Sequence, residues 1–210
     1  MTLMMASCSQ EDFGLNPGDG SQTTVTVMFD TPQMSGRAYA DGTNANTLYY
    51  AVYEVKNDGS VELTPIKDVE EGFKISKKLE LQLVNGHTYG FAVVALNDKA
   101  PYTVTFEKTG ATMSINDNAE LKANDETLDA FYAYEKITVD GSKTVKVSLY
   151  RPFAQINIGA NDMEAAANMG VVPTKSQIVV ADTYTSFDLL TGTVDYETKK
   201  ATTFMYKDIP

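Results

Sequence analysis

Two alternating stretches that meet at a proline constrain this chain more than any other feature. Over Thr144 to Tyr150, Val145, Val147 and Leu149 fall on one face and Lys146, Ser148 and Tyr150 on the other. That is the period-2 pattern of a half-buried strand. After Arg151-Pro152 the alternation resumes one residue out of phase, with Ala154, Ile156 and Ile158 apolar and Gln155 and Asn157 polar. A slip of one residue moves the buried set to the opposite face. Proline has no N–H for a ladder and holds the residue before it extended, so Arg151-Pro152 is expected to be a bulge, or a corner where one long strand passes between two sheets. The two halves, Thr144 to Tyr150 and Phe153 to Ile158, should then pair with different neighbours or be separated by a bulge.

The rest of the chain agrees with a sandwich. Thr23 to Phe29 sets Val25, Val27 and Phe29 against Thr24, Thr26 and Met28. Leu48 to Val55 is apolar on both faces, Leu48, Tyr50 and Val52 against Ala51, Tyr53 and Val55, which places it centrally in a sheet. Asn57-Asp58-Gly59 is a hairpin signal leading into Ser60 to Leu63, and Asn85-Gly86 reads as a second hairpin joining Lys77 to Val84 with Thr88 to Leu96. Tyr102 to Phe106 reads as an edge strand. Residues 110 to 125 look irregular and acidic, and Asp125 can cap a short helix with Leu128, Phe131 and Tyr132 at helical spacing. Glu135 to Val139 turns at Asp140-Gly141 into the stretch described first. Asn161 to Gly170 reads as another short helix, with Asn161 as N-cap, Glu164 at the capping-box position and Gly170 as C′. Ser176 to Ala181, Ser186 to Leu190 and Thr193 to Tyr196 bring the count to about ten strands, so the expected fold is an all-β sandwich with two short helical insertions.

Composition narrows the chemistry. A net charge of -11 and the absence of a basic patch argue against nucleic acid and anionic membrane as partners. No stretch of about 18 apolar residues is present to span a bilayer. The single cysteine, Cys8, excludes an internal disulfide framework and a multi-cysteine metal site. His87, the only histidine, sits in an Asn-Gly-His-Thr turn, where a polar residue needs no catalytic reason, and no spacing singles out a carboxylate pair among 28 Asp and Glu. Asn116-Asp117-Asn118-Ala119-Glu120 lacks the order and central glycine of a calcium loop and reads as a solvated acidic loop. Tyr49, Tyr50 and Tyr53 could stack on a sugar, yet their two-faced strand favours core packing. The expectation is a binding or structural protein, not an enzyme, with no cofactor and no metal.

Cys8 follows Leu3-Met4-Met5-Ala6-Ser7, a short apolar run ending in small residues that resembles a bacterial lipobox, in which the cysteine carries the lipid. Residues 1–8 then form a signal remnant, 9–22 a flexible tether rich in Gly and polar residues, and 23–210 the domain. Only seven uncharged residues precede Cys8, so the start of a full signal is expected upstream, or the signal has been clipped. Ser9-Gln10-Glu11-Asp12 resembles the acidic surface-export signal of Bacteroidota lipoproteins.

Arg37-Ala38-Tyr39-Ala40-Asp41-Gly42-Thr43, Leu48-Tyr49-Tyr50-Ala51-Val52-Tyr53 and Arg151-Pro152-Phe153-Ala154-Gln155-Ile156-Asn157-Ile158-Gly159 together resemble the N-terminal domain of Bacteroidota fimbrillin-like lipoproteins, the type V pilus subunits and their accessory proteins. That resemblance implies a transthyretin-like Greek-key β-sandwich, a lipid anchor at Cys8 in the outer membrane, and surface exposure in adhesive fimbriae. It also implies a mechanism. An Arg-specific protease would cut between Arg37 and Ala38, and loss of the displaceable strand carrying Val25, Val27 and Phe29 would open a groove for a strand of another fimbrial subunit. The alternatives are an exposed loop arginine, or an anchor or tip subunit that is never cut. Family members usually carry a second, C-terminal sandwich that supplies the donor strand. This sequence stops at Tyr206-Lys207-Asp208-Ile209-Pro210, as a fragment or a single-domain relative would. Other expected partners are a host or bacterial surface ligand. The competing reading is a carbohydrate-binding lipoprotein of a glycan-uptake system. Arg151 is read as structural, with its guanidinium on loop carbonyls near the corner.

Overall fold

The computed structural model describes residues 20–31, 42–74, 76–117, 119–154, 156 and 158–206. In chain order the strands are β1 (Gln22–Asp30), β2 (Thr47–Val55), β3 (Val61–Glu71), β4 (Ser76–Val84), β5 (Thr88–Leu96), β6 (Tyr102–Phe106), β7 (Ala111–Ile115) and β8 (Leu121–Lys122). There follow β9 (Ala130–Thr138), β10 (Lys143–Ser148), the helix α1 (Met163–Asn168), β11 (Ser176–Tyr184), β12 (Ser186–Asp188), β13 (Thr193–Val194) and β14 (Lys199–Tyr206). They form four sheets, ordered β10-β1-β4, β3-β2-β5-β9, β13-β12-β7-β6 and β11-β14-β8.

The sandwich has a sheet buried on both sides. One face of β2-β5-β9 carries Leu48, Val52, Phe91, Val93, Phe131 and Ala133 into a core shared with Val25, Val27, Phe29, Leu83 and Val147 of the β10-β1-β4 sheet. The opposite face carries Ala51, Tyr53, Ala92, Val94 and Tyr132 into a second core with Met113 and Phe187 of the β13-β12-β7-β6 sheet. The two-faced pattern of Leu48 to Val55 therefore does place it centrally: β2 lies between β3 and β5. Fully burying each of the Val, Leu, Phe and Met side chains contributes roughly 1.5–3 kcal/mol, which makes this three-layer stack the main source of stability.

Several local expectations are corrected. Asn85-Gly86 is a turn, with Gly86 at φ 80, but β4 and β5 belong to different sheets. It is an arch that crosses the core, not a hairpin. Asp140-Gly141 makes a second arch from β9 to β10, and the two lie side by side: Gly86 N–H donates to Val139 O at 2.7 Å and Val139 N–H to His87 O at 2.9 Å. The Asn57-Asp58-Gly59 hairpin forms between β2 and β3, as expected.

Only one 3-10 turn, Glu126–Leu128, follows Asp125, whose side chain accepts from Thr127 N–H. Phe131 and Tyr132 lie in β9, where alternation sends one ring into each core, a burial that helical spacing could not give. Residues 111–115 and 121–122 are strands, not irregular chain. The helix starts at Met163, with Asp162 at the cap position and no side-chain cap bond, and ends as expected with Gly170 at φ 81. There Val171 N–H bonds to Ala166 O and Gly170 N–H to Ala167 O, both at 2.9 Å, a Schellman motif.

The corner exists but comes earlier than Arg151. Leu149 N–H donates to Asp30 O at 2.8 Å in the first sheet, and Tyr150 then exchanges a pair of bonds with Tyr132 in the central sheet. Between Phe153 and Ile158 none of the described residues lies in a ladder, and Ile156 and Ile158 are 68% and 65% exposed. Alternation marks a segment that could pair and does not by itself supply the partner strand. Arg151 pairs with a carboxylate, that of Asp129, where loop carbonyls were the expected partners.

Candidate functional site

The first strand and the groove around it form the candidate site. β1 pairs antiparallel with β4 from Gln22↔Val84 to Asp30↔Ser76, and parallel with β10 from Val25↔Lys143 to Asp30↔Ser148. Val25, Val27 and Phe29 are completely buried, and the ring of Phe29 stacks on Tyr50 with centroids 6.5 Å apart. Burial of Tyr50 behind that ring is the main cause raising its pKa. On the outward face Gln82 Nε2 donates to Thr24 Oγ1 at 2.9 Å, while Thr23, buried in line with Val25, shares a hydroxyl hydrogen bond of 2.8 Å with Ser142.

Both ends of β1 are pinned by backbone. Asn85 N–H donates to Ser21 O at 2.9 Å at one end, and the Leu149 bond to Asp30 closes the other. Just beyond it, Thr31 is buried, and Gly42 approaches so closely that a Cβ there would lie 3.0 Å from Thr31 Cβ. Residues 32–41 therefore leave the described structure and return to it at adjoining points. Arg37 and Ala38 fall within that segment, and Cys8 lies before Gly20, so all three are outside the described residues. Chemically, a strand held this way is an apolar key between two open ladders. Withdrawing it would expose a slot walled by β4 and β10 and floored by Tyr50, Phe91 and Phe131.

The other candidate residues do not converge on a reaction centre. His87 Nδ1 lies 2.7 Å from Glu54 Oε1, and Glu54 also pairs with Lys56, whose hydrogen bond is the chief cause of its lowered pKa. Asp117 is ion-paired with Lys200 at 2.9 Å. Among the described residues, no group of three or more His, Cys, Asp or Glu side chains is placed to hold a metal ion, and no helix is long and apolar enough to cross a membrane. Tyr53 is fully buried with its hydroxyl donating to Gly110 O at 2.7 Å, while Tyr49 and Tyr50 are half-buried against the two cores. Sequence reasoning missed β10 as the parallel neighbour of β1, because nothing local in either strand reports a pairing as distant as Val25 with Lys143.

Three comparisons bear on this geometry. A family model described as a family of unknown function (DUF6562) matches residues 17–208. A search of curated proteins finds no match. Among solved structures, a proposed adhesin from Bacteroides thetaiotaomicron superposes with a TM-score of 0.52 at 12% identity, over 90% of this chain and 63% of that one. A proposed polysaccharide-binding protein from the same organism gives 0.49 at 12%, over 88% and 64%. The fimbrial anchor protein Mfa2 of Porphyromonas gingivalis gives 0.48 at 13%, over 88% and 66%. The chain thus spans less than two thirds of the length of each of these structures.

Proposed function

The chain belongs to the family of unknown function DUF6562, and from that premise we propose that it is a surface component of fimbriae that joins other subunits by exchanging β1. In this reading it is anchored in the outer membrane by lipid on Cys8. Its work is assembly and adhesion, not catalysis. The observation that carries the proposal is the setting of β1, an apolar strand between two ladders joined to the rest of the chain through a segment whose ends adjoin. A cut at Arg37 would free β1 from the residues that follow without disturbing any described contact. A fold shared with a proposed adhesin supports the same reading.

Only two arginines occur in the sequence, and Arg151 is tied to Asp129, so an Arg-specific protease has one expected target in the folded protein. After cleavage, a labelled peptide of residues 20–31 should enter the groove in place of β1, and the cut chain should form oligomers. An uncut chain should do neither. A chain cleaved at Arg37 that stays monomeric and never takes up the peptide would refute strand exchange. Anchoring is tested separately: palmitate labelling should vanish in Cys8→Ala.

A further inference from the structure

A pair of tyrosines lies far in sequence from β1, at the junction of the third and fourth sheets. β11 runs through Thr185 into β12, and β13 runs through residues 195–198 into β14, so one long two-stranded ribbon serves both sheets. The ribbon is irregular at that junction on both strands. On one, the register shifts between Val180 and Thr183, with Asp182 at φ 54, a positive value that a non-glycine residue seldom adopts. On the other, Asp195 N–H bonds to Ser186 O at 2.9 Å and Thr198 O accepts from Thr185 N–H at 3.2 Å, so Tyr196 and Glu197 are looped out between two paired residues. Bulges of this kind re-aim side chains.

Here they bring Tyr184 and Tyr196 together edge to face, with centroids 5.3 Å apart and planes at 77°. Tyr196 is 65% exposed, and its partner is half-buried. Lys199 lies opposite Tyr184 in the ladder and holds its ammonium 5.3 Å from that ring's centroid. Neither Asp182 nor Glu197 makes a side-chain hydrogen bond among the described residues, and both are exposed. The result is an exposed aromatic surface with one ammonium over it, and with Asp182 and Glu197 close by in the chain, two residues before Tyr184 and next to Tyr196.

We infer that Tyr184 and Tyr196 form a saccharide-binding site, on which a neutral pyranose stacks its C–H face against Tyr196 while Lys199, Asp182 and Glu197 meet its hydroxyls. The C–H face of a sugar carries a weak positive polarity, and an aromatic face attracts it for the same reason that it attracts Lys199. Hydroxyls need both donors and acceptors, which an ammonium and two carboxylates provide. A net charge of -11 selects against sulfated or uronic-acid glycans, which leaves neutral ones. The site shares no residue with β1 or its groove, so the inference stands whether or not strand exchange occurs.

The test is saturation-transfer NMR and calorimetry on the uncleaved monomer with neutral oligosaccharides of glucose, mannose and galactose, and with a heparin oligosaccharide as the charged control. At least one neutral series should bind and heparin should not. Tyr196→Ala should weaken that binding about tenfold or more, the loss of one stacking partner, while Tyr196→Phe retains most of it. Because Tyr196 is exposed, its variant should keep the parent melting temperature, which separates lost binding from lost fold. Absence of binding to every neutral series, or binding unchanged in Tyr196→Ala, overturns the inference. Preferential binding of heparin overturns the ligand class.

Discussion

Replacing Phe29 with alanine tests how firmly β1 is seated. Phe29 has no exposed surface, stacks on Tyr50, and sits where β1 contacts both neighbours. Phe-to-Ala substitutions at such positions cost about 3–5 kcal/mol, since burial is lost and a cavity remains. The stack on Tyr50, worth roughly 0.5–1.5 kcal/mol, is part of that loss. Thr26→Ala, on the outward face of the same strand, makes the control: its side chain faces away from the core, and its loss should cost no more than about 0.5 kcal/mol. Urea unfolding followed by tyrosine fluorescence should show an unchanged slope, and with a slope of about 2 kcal/mol per molar the midpoint should fall by roughly 1.5–2.5 M in Phe29→Ala. A shift no larger than that of Thr26→Ala would refute the argument that β1 is held by its apolar face. The same variant should take up the β1 peptide faster after cleavage, because the resident strand has lost its largest anchor.

Two further outcomes follow from particular contacts. Gly90 in β5 is covered by the ring of Tyr134, and a Cβ there would lie 2.3 Å from the Tyr134 hydroxyl, so Gly90→Ala should destabilise by about 1–3 kcal/mol. Adding Tyr134→Ala should remove most of the clash, a coupling that a double-mutant cycle in urea measures, and strict additivity would exclude the clash as the cause. Glu54, Glu62, Asp117 and Asp140 have carboxyl pKa values lowered by hydrogen bonds from Lys56, Lys108, Lys200 and Lys143. A lowered folded-state pKa gives stability that is present above the ordinary carboxylate range, near 4, and is lost as pH falls through the folded value. At about 0.15 M salt, where the repulsion of a strongly negative chain is screened, melting temperature should be level from neutrality to mild acidity and drop below it. Glu54→Gln with Glu62→Gln should flatten the drop, and an unchanged acid limb would count against these pairs.

How much of this was legible in the sequence depended on whether a signal was local. Leu48 to Val55 announces a strand buried on both faces because each face is written into its own residues, and the structure puts it between two neighbours and two cores. Asn85-Gly86 announces a reversal, yet a turn's residues specify backbone angles and say nothing of whether the next strand returns to the same sheet. It crosses to another. The alternation after Pro152 misled for the opposite reason, since pattern marks what a segment could bury and Ile156 and Ile158 stay about two thirds exposed. β14 gave no reading at all, as its first five residues, Lys199-Lys200-Ala201-Thr202-Thr203, show no apolar alternation and Phe204-Met205-Tyr206 is an unbroken run; its ladder with β11 holds it. Of the candidate site, Val25, Val27 and Phe29 were readable as an inward set, whereas the parallel partner β10 and the approach of Gly42 to Thr31 are products of tertiary folding. The Tyr184 and Tyr196 pair is readable only once two bulges have set its register.

The parallel pairing of β1 with β10 also sets a timetable. During synthesis β1 emerges first, meets β4 after about 50 residues, and cannot complete its sheet until β10 appears more than about 100 residues after it. Contacts this distant in sequence slow folding, since a long loop must close before they repay the lost entropy. Through that interval the nascent chain carries a half-built sheet with β1's far edge open, an edge that any extended segment of matching alternation could occupy.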